Sequence, residues 1–140
     1  MDVNVNWIAI ILAAISTMVV GSLWYGPLFG KMWAKLAKVK RDPDFTGAKM
    51  AVTYIKAFLS SLVTAIILAY AIEVTHLASS NSYFVNAVTV GILLWAGFTA
   101  ARIFMHDLFE GRRQKLTALN VMHEFVTIAV MSIIIGLLPV

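Results

Sequence analysis

The sequence predicts an all-α membrane protein: a single domain, residues 1–140, of four transmembrane helices in an antiparallel bundle, with a short amphipathic cytoplasmic segment after the first helix. Three observations carry that prediction. The 140 residues are 61% hydrophobic and only 13% charged, with a mean hydropathy of +0.87, which lies outside the range of soluble globular domains. Four apolar stretches each approach the roughly 20 residues that a spanning helix needs, and with short connections they nearly use up the chain. The basic residues also fall in two places only. Lys31, Lys35, Lys38, Lys40, Arg41, Lys49 and Lys56 lie between the first and second stretches, and Arg112, Arg113 and Lys115 between the third and fourth. The N-terminus and the 73–83 connection have neither Lys nor Arg. By the positive-inside rule, both basic loops are expected in the cytoplasm and both termini outside it.

That distribution also argues against nucleic acid as a partner, despite a net charge of +4 and a pI near 9.6, because the charge is topogenic rather than gathered on a soluble face. The absence of cysteine excludes disulfides, thiolate metal sites and cysteine nucleophiles. A cleaved signal peptide is not expected, since nothing basic precedes Trp7 and the uncharged run 3–30 is too long for an h-region.

Helix 1 is expected over about 7–25. Its small residues Ala9, Ala13, Thr17 and Gly21 recur every fourth position and form a flat stripe where another helix can approach closely. Gly26-Pro27 ends or sharply kinks it, because proline supplies no backbone donor and restricts its predecessor. Trp24, Tyr25 and Trp33 flank that point as interfacial anchors. The Leu28–Lys40 segment sets Leu28, Phe29, Met32, Trp33 and Leu36 against Lys31, Lys35 and Lys38. That pattern suits a short helix on the lipid surface, with the Lys31–Arg41 segment meeting anionic lipids. KRDPDFTG (40–47) is a turn. Helix 2 is expected over about 52–72, followed by a polar external loop from Glu73 to Ser82. Helices 3 and 4 are expected over about 83–105 and 116–138.

Helices 3 and 4 carry polar residues where the chain should have none. On helix 4, Asn120, His123, Glu124 and Thr127 occur at i, i+3, i+4 and i+7; on helix 3, Trp95, Thr99, Arg102 and His106 occur at i, i+4, i+7 and i+11. Each set shares one face. An antiparallel hairpin turning near Arg112 and Arg113 places Arg102 level with His123 and Glu124, roughly 10–12 Å below the membrane surface at about 1.5 Å rise per residue. A lone charge deep in lipid costs roughly 2.5–3.5 kcal/mol, so a depth-matched acid–base pair is expected.

Two readings stay open. In one, the face is a proton- or ion-coupled site, with Glu124 titrating, Arg102 supplying its counter-charge and His123 relaying protons. In the other, an Arg102–Glu124 pair pins helix packing, with Asn120 and His123 as interhelical hydrogen bonders. The Gly-Pro block divides similarly, between a ligand-binding break in helix 1 and a plain interfacial stop. Glu73 with His76, and His106 with Asp107, offer too few ligands for a metal site. His123-Glu124 is not the zincin motif, because Thr127 stands where a second His is needed, and the other common enzyme templates are also missing.

GSLWYGPLFGKMW (21–33), LLWAGF (93–98), LFEGRR (108–113) and LTALN (116–120) with the following His123 form an ordered series. In this series the chain resembles the bacterial membrane-protein family catalogued as domain of unknown function 1761, over nearly its whole length. WYGPLFGK-x-W is the most specific block. The resemblance implies a small four-helix protein of the bacterial plasma (inner) membrane and no particular activity or cofactor. Transport or permeation of a small solute or ion is the favoured function, with a non-transporting accessory or scaffold subunit as the alternative; an enzyme is not expected. Four helices make a thin bundle, so a homo-oligomer is expected.

Overall fold

A computed structural model describes residues 3–40 and 42–140, and there is no strand among them. α1 spans Trp7–Leu23. It starts at Asn6, whose side-chain oxygen accepts from the backbone N–H of Ile8 at 3.0 Å and of Ala9 at 3.2 Å, which satisfies two of the donors a helix leaves free at its start. Its end is set by Pro27. A π-helical segment, Trp24–Leu28, follows, with Gly26 out of helical geometry at φ −106°, ψ −107°, the kink expected where proline interrupts the hydrogen-bond ladder. The chain then continues past the kink into α2, Gly30–Ala37, which lies beside Arg113, Gln114 and Lys115. A Cβ at Gly30 would lie 2.5 Å from the Tyr25 carbonyl oxygen, so the kink requires glycine there. α2 ends at Lys38 in left-handed geometry. Arg41, the last residue of the expected lipid-facing segment, lies outside the described residues.

α3 runs over Gly47–Leu77, 31 residues, and so extends past both ends of the expected 52–72. Hydropathy marks only the part of a helix suited to lipid, whereas the hydrogen-bond ladder continues until a residue stops it. Here Gly47, at φ +48°, opens the helix and Ala78 closes it. Glu73 and His76 are therefore helical, not part of a loop, and Glu73 is buried. α4, Tyr83–Leu94, is capped by Ser82 Oγ accepting from Val85 N–H at 3.4 Å. A second π-helical segment, Trp95–Ala100, joins it to α5, Ala101–Phe109, giving one long span that outruns the expected end at 105. Gly111, at φ +65°, makes the turn into α6, Gln114–Leu137. Four helices, Trp7–Leu28, Gly47–Leu77, Tyr83–Phe109 and Gln114–Leu137, are long and apolar enough to cross a membrane.

α6 packs against both α1 and α4, and α3 closes the ring by packing on α1 and α4. The shared core is made of small residues, Ala9, Ala13, Ala14, Ala65, Ala69 and Ala87, around Ile10, Ile72, Met131 and Ile135. Lipid tails are as apolar as leucine, so close approach and dispersion hold such helices together. Ala9, Ala13 and Thr17 of the small-residue stripe are buried in this core, and Thr17 Oγ1 donates to Ser61 Oγ of α3 at 2.8 Å. The tightest approaches are between α4 and α6. A Cβ at Gly136 would sit 2.9 Å from Ala87 Cβ, and one at Gly91 would overlap Ser132 Oγ. Asn6 Nδ2 donates to the carbonyls of Leu138 and Pro139, so the start of α1 lies beside the end of α6. No residue of α3 before Ala65 is buried. The first half of α3 thus stands clear of the bundle core.

Candidate functional site

The kink at Gly26-Pro27 turns Trp24 and Tyr25 onto α6, where they meet the ring of His123. The His123 ring centroid lies 4.7 Å from that of Tyr25 and 5.9 Å from that of Trp24. Trp24 stacks in turn on Phe29 at 4.5 Å and Tyr25 on Trp33 at 5.2 Å. His123 Nδ1 is 3.1 Å from Glu124 Oε1, and Nε2 is 3.5 Å from Thr127 Oγ1. One turn earlier, Tyr25 OH donates to Asn120 Oδ1 at 3.0 Å. Gly21 of α1 faces this ring, and a Cβ there would reach ordinary contact with His123 Nε2 at 3.8 Å. Asn120, His123, Glu124 and Thr127 thus act on one face of α6, against the aromatic block of the first span.

Tyr25 and Trp33 of the aromatic block, expected either at an interfacial stop or at a ligand-binding break, also line the polar site. Periodicity cannot reveal this, because the contact joins residues 95 positions apart and depends on the direction in which a proline kink throws the chain. One signal was available: the kinked aromatic pair precedes the first basic loop by about the distance at which Asn120 and His123 follow the second.

The third span contributes differently from expectation. No carboxylate oxygen comes within 4.0 Å of Arg102 among the described residues. The guanidinium is exposed, and its polar contact is to Met105 Sδ at 3.8 Å. Glu124 is partnered by His123 instead, so the direct Arg102–Glu124 pair is not formed. Thr99, Arg102 and His106 keep the common face that their spacing predicts, whereas Trp95, which opens the π-helical segment Trp95–Ala100, leaves it. Trp95 points inward, donating its Nε1–H to the Val121 carbonyl at 3.1 Å and stacking on Phe125. His106 and Asp107 are not paired either. Asp107 is buried, accepts from Thr117 Oγ1 at 2.6 Å and lies 3.6 Å from Arg112 Nε.

Arg102 and Glu124 nevertheless face the same recess of about 690 Å³. Tyr25 and Trp33 form one wall, Thr99, Arg102 and His106 the second, and Asn120 and Glu124 the third, with Glu110 and Arg112 also lining it. At Phe98 and Thr99 it adjoins an apolar groove of about 440 Å³ between α3, α4 and α6. The Glu124 side chain is 36% exposed, His123 only 12%, so the acid meets the recess and the imidazole sits behind it. Trp24 Nε1 is buried with no hydrogen-bond partner among the described residues, an uncommon state for a buried donor. Glu124 and His123 thus form a carboxyl–imidazole pair at the edge of the recess, whose walls carry side chains of both charge signs.

A second polar cluster lies at the other end of the bundle. His76 Nδ1 is 3.2 Å from Asn86 Nδ2, Ser79 Oγ donates to Asn86 Oδ1 at 3.0 Å, and His76 stacks on Tyr83. These contacts stitch the α3–α4 turn. No group of three or more His, Asp or Glu side chains that could hold a metal ion occurs among the described residues.

No curated protein and no solved structure matches the chain. The chain's match to one family model is nearly end to end. The chain belongs to the family described as protein of unknown function DUF1761, whose model matches residues 8–136.

Proposed function

We propose that this protein moves a small solute or ion across the bacterial plasma membrane as an antiparallel four-helix bundle, both termini extracytoplasmic, with His123 and Glu124 as the titrating pair. Glu124 takes a proton from the recess, His123 carries it behind the aromatic wall, and Arg102 screens the anionic state across the cavity. The observation that carries this reading is the recess itself: Glu124, Arg102, Asn120 and Tyr25 all line one space of about 690 Å³. Intramembrane acids are rarely placed against an open cavity for packing alone.

A second reading, a non-transporting accessory or scaffold subunit, is favoured by a different observation. The core beyond His123 is filled by Ala13, Ala65, Met131 and Ile135, and it gives one copy no through-path. Transport therefore calls for a homo-oligomer or a second conformation. Neither reading involves enzymatic chemistry or a cofactor.

Reconstitution into liposomes loaded with a pH-sensitive dye separates the two. Under an imposed pH or potassium gradient the protein should dissipate the gradient faster than empty liposomes do. Glu124→Gln should slow that flux about ten-fold or more, the loss expected of an essential proton-transfer group, while Asp44→Asn, an exposed acid of the 40–47 turn, leaves it near the starting rate. Flux no faster than in empty liposomes under proton, sodium and potassium gradients would favour the accessory role.

A further inference from the structure

We propose that a recess between α2 and the head of α6, separate from the one at Glu124, holds the phosphate headgroup of an anionic phospholipid. Its volume is about 620 Å³ and its lining is Met32, Lys35 and Leu36 from α2 with Arg113, Gln114 and Lys115 at the start of α6. That size falls within the roughly 300–1,000 Å³ usual for small-ligand sites. The three cations come from the two basic loops, distant in sequence, and the fold brings them to one concavity.

None of the three has a carboxylate within 4.0 Å among the described residues. Arg112, their neighbour in sequence, is held by Glu110 at 2.6 Å and Asp107 at 3.6 Å. Lys35, Arg113 and Lys115 instead face one recess with no acid of the described residues to compensate them. Three like charges facing one space repel one another, and a bound anion relieves that repulsion. Trp33 of α2 packs on Tyr25, whose hydroxyl donates to Asn120 of α6, so α2 is tied to the bundle.

The floor decides between a lipid and a free anion. Met32 is an exposed thioether and Leu36 is half-buried beside it. Inorganic phosphate would leave both uncovered. A glycerophospholipid covers them with its glycerol and upper acyl segments while its phosphate meets the three cations, as expected for a basic amphipathic helix at an anionic leaflet.

Native mass spectrometry of the full chain in detergent, titrated with phosphatidylglycerol, phosphatidylcholine or inorganic phosphate, tests the assignment. Phosphatidylglycerol should bind about ten-fold more tightly than phosphatidylcholine, and Lys35→Gln with Arg113→Gln and Lys115→Gln should remove about that factor. Lys31→Gln with Lys38→Gln and Lys40→Gln deletes the same charge outside the recess and should change binding by less than about three-fold. If the first triple variant does not fold, Arg113→Gln alone should weaken binding about three-fold. Equal losses in both triple variants, or no preference over phosphatidylcholine, would overturn the site. Inorganic phosphate displacing the lipid at comparable concentration would overturn the lipid as its occupant.

Discussion

His123 touches an acid, a hydroxyl and two aromatic rings, and each contact restricts what its ring can do. Nδ1 is committed to Glu124 and Nε2 faces Thr127, so protonation of the ring changes both partners together. The Tyr25–Asn120 hydrogen bond holds the aromatic wall against it. Tyr25→Phe keeps the ring and removes that bond, so it should cost about 1 kcal/mol, read as a lower unfolding midpoint in detergent. Arg102→Leu should cost less than that, because the exposed guanidinium leaves no carboxylate stranded. A loss of several kcal/mol at Arg102 would mean that the ion pair expected from its spacing does form. At this scale the sequence identified Asn120, His123, Glu124 and Thr127 as one face, since four polar residues at helical spacing in an apolar helix leave little choice. It could not identify their partners. Those depend on a π-helical turn in one span and a proline kink in another, and neither has a periodic signature.

Elements were more legible than contacts, and their limits more legible in lipid than in water. Apolar runs located all four long helices, but α3 overran its apolar core because Lys49, Lys56, Glu73 and His76 are compatible with helix even where they are incompatible with lipid. The small-residue stripe on α1 is buried as far as Thr17, and Gly21 is half-buried against His123. The closest helix pair is elsewhere, at α4 and α6, where Gly136 meets Ala87 and Phe84. Gly136→Ala would add a methyl 2.9 Å from Ala87 Cβ, and neither group can rotate away. The helices must then part, at a cost of about 1–3 kcal/mol for overpacking, which outweighs the gain in helix propensity. Gly21→Ala meets only ordinary contact at 3.8 Å. It should be neutral or stabilising by up to about 1 kcal/mol, the propensity difference. Thermal unfolding of the two variants in the same detergent checks the order, and a reversal would shift the closest approach to α1.

For the molecule as a whole, the structure groups the loops by end, and orientation is an expectation from their charge. Asn6 reaches the Leu138 and Pro139 carbonyls, which puts the start of α1 and the end of α6 at one end of the bundle. Tyr25 bonds Asn120, and α2 lies against the head of α6, which puts the two basic loops together at the other. Lys31, Lys35, Lys38, Lys40, Arg112, Arg113 and Lys115 therefore share one end, while neither the N-terminus nor the 73–83 connection carries Lys or Arg. Translocating that basic end means carrying each of those charges across the bilayer, at roughly 2.5–3.5 kcal/mol apiece even on the lenient insertion scales. No opposing charge at the other end competes for retention, so a dual orientation is not expected. A reporter fused after Val140 should therefore be active outside the cytoplasm, and one inserted near Pro43 active inside. Reporter activity in the opposite pattern would place the Glu124 recess and the basic lipid recess on the external face. Proton uptake at Glu124 would then run from outside, and the anionic lipid would have to come from the outer leaflet.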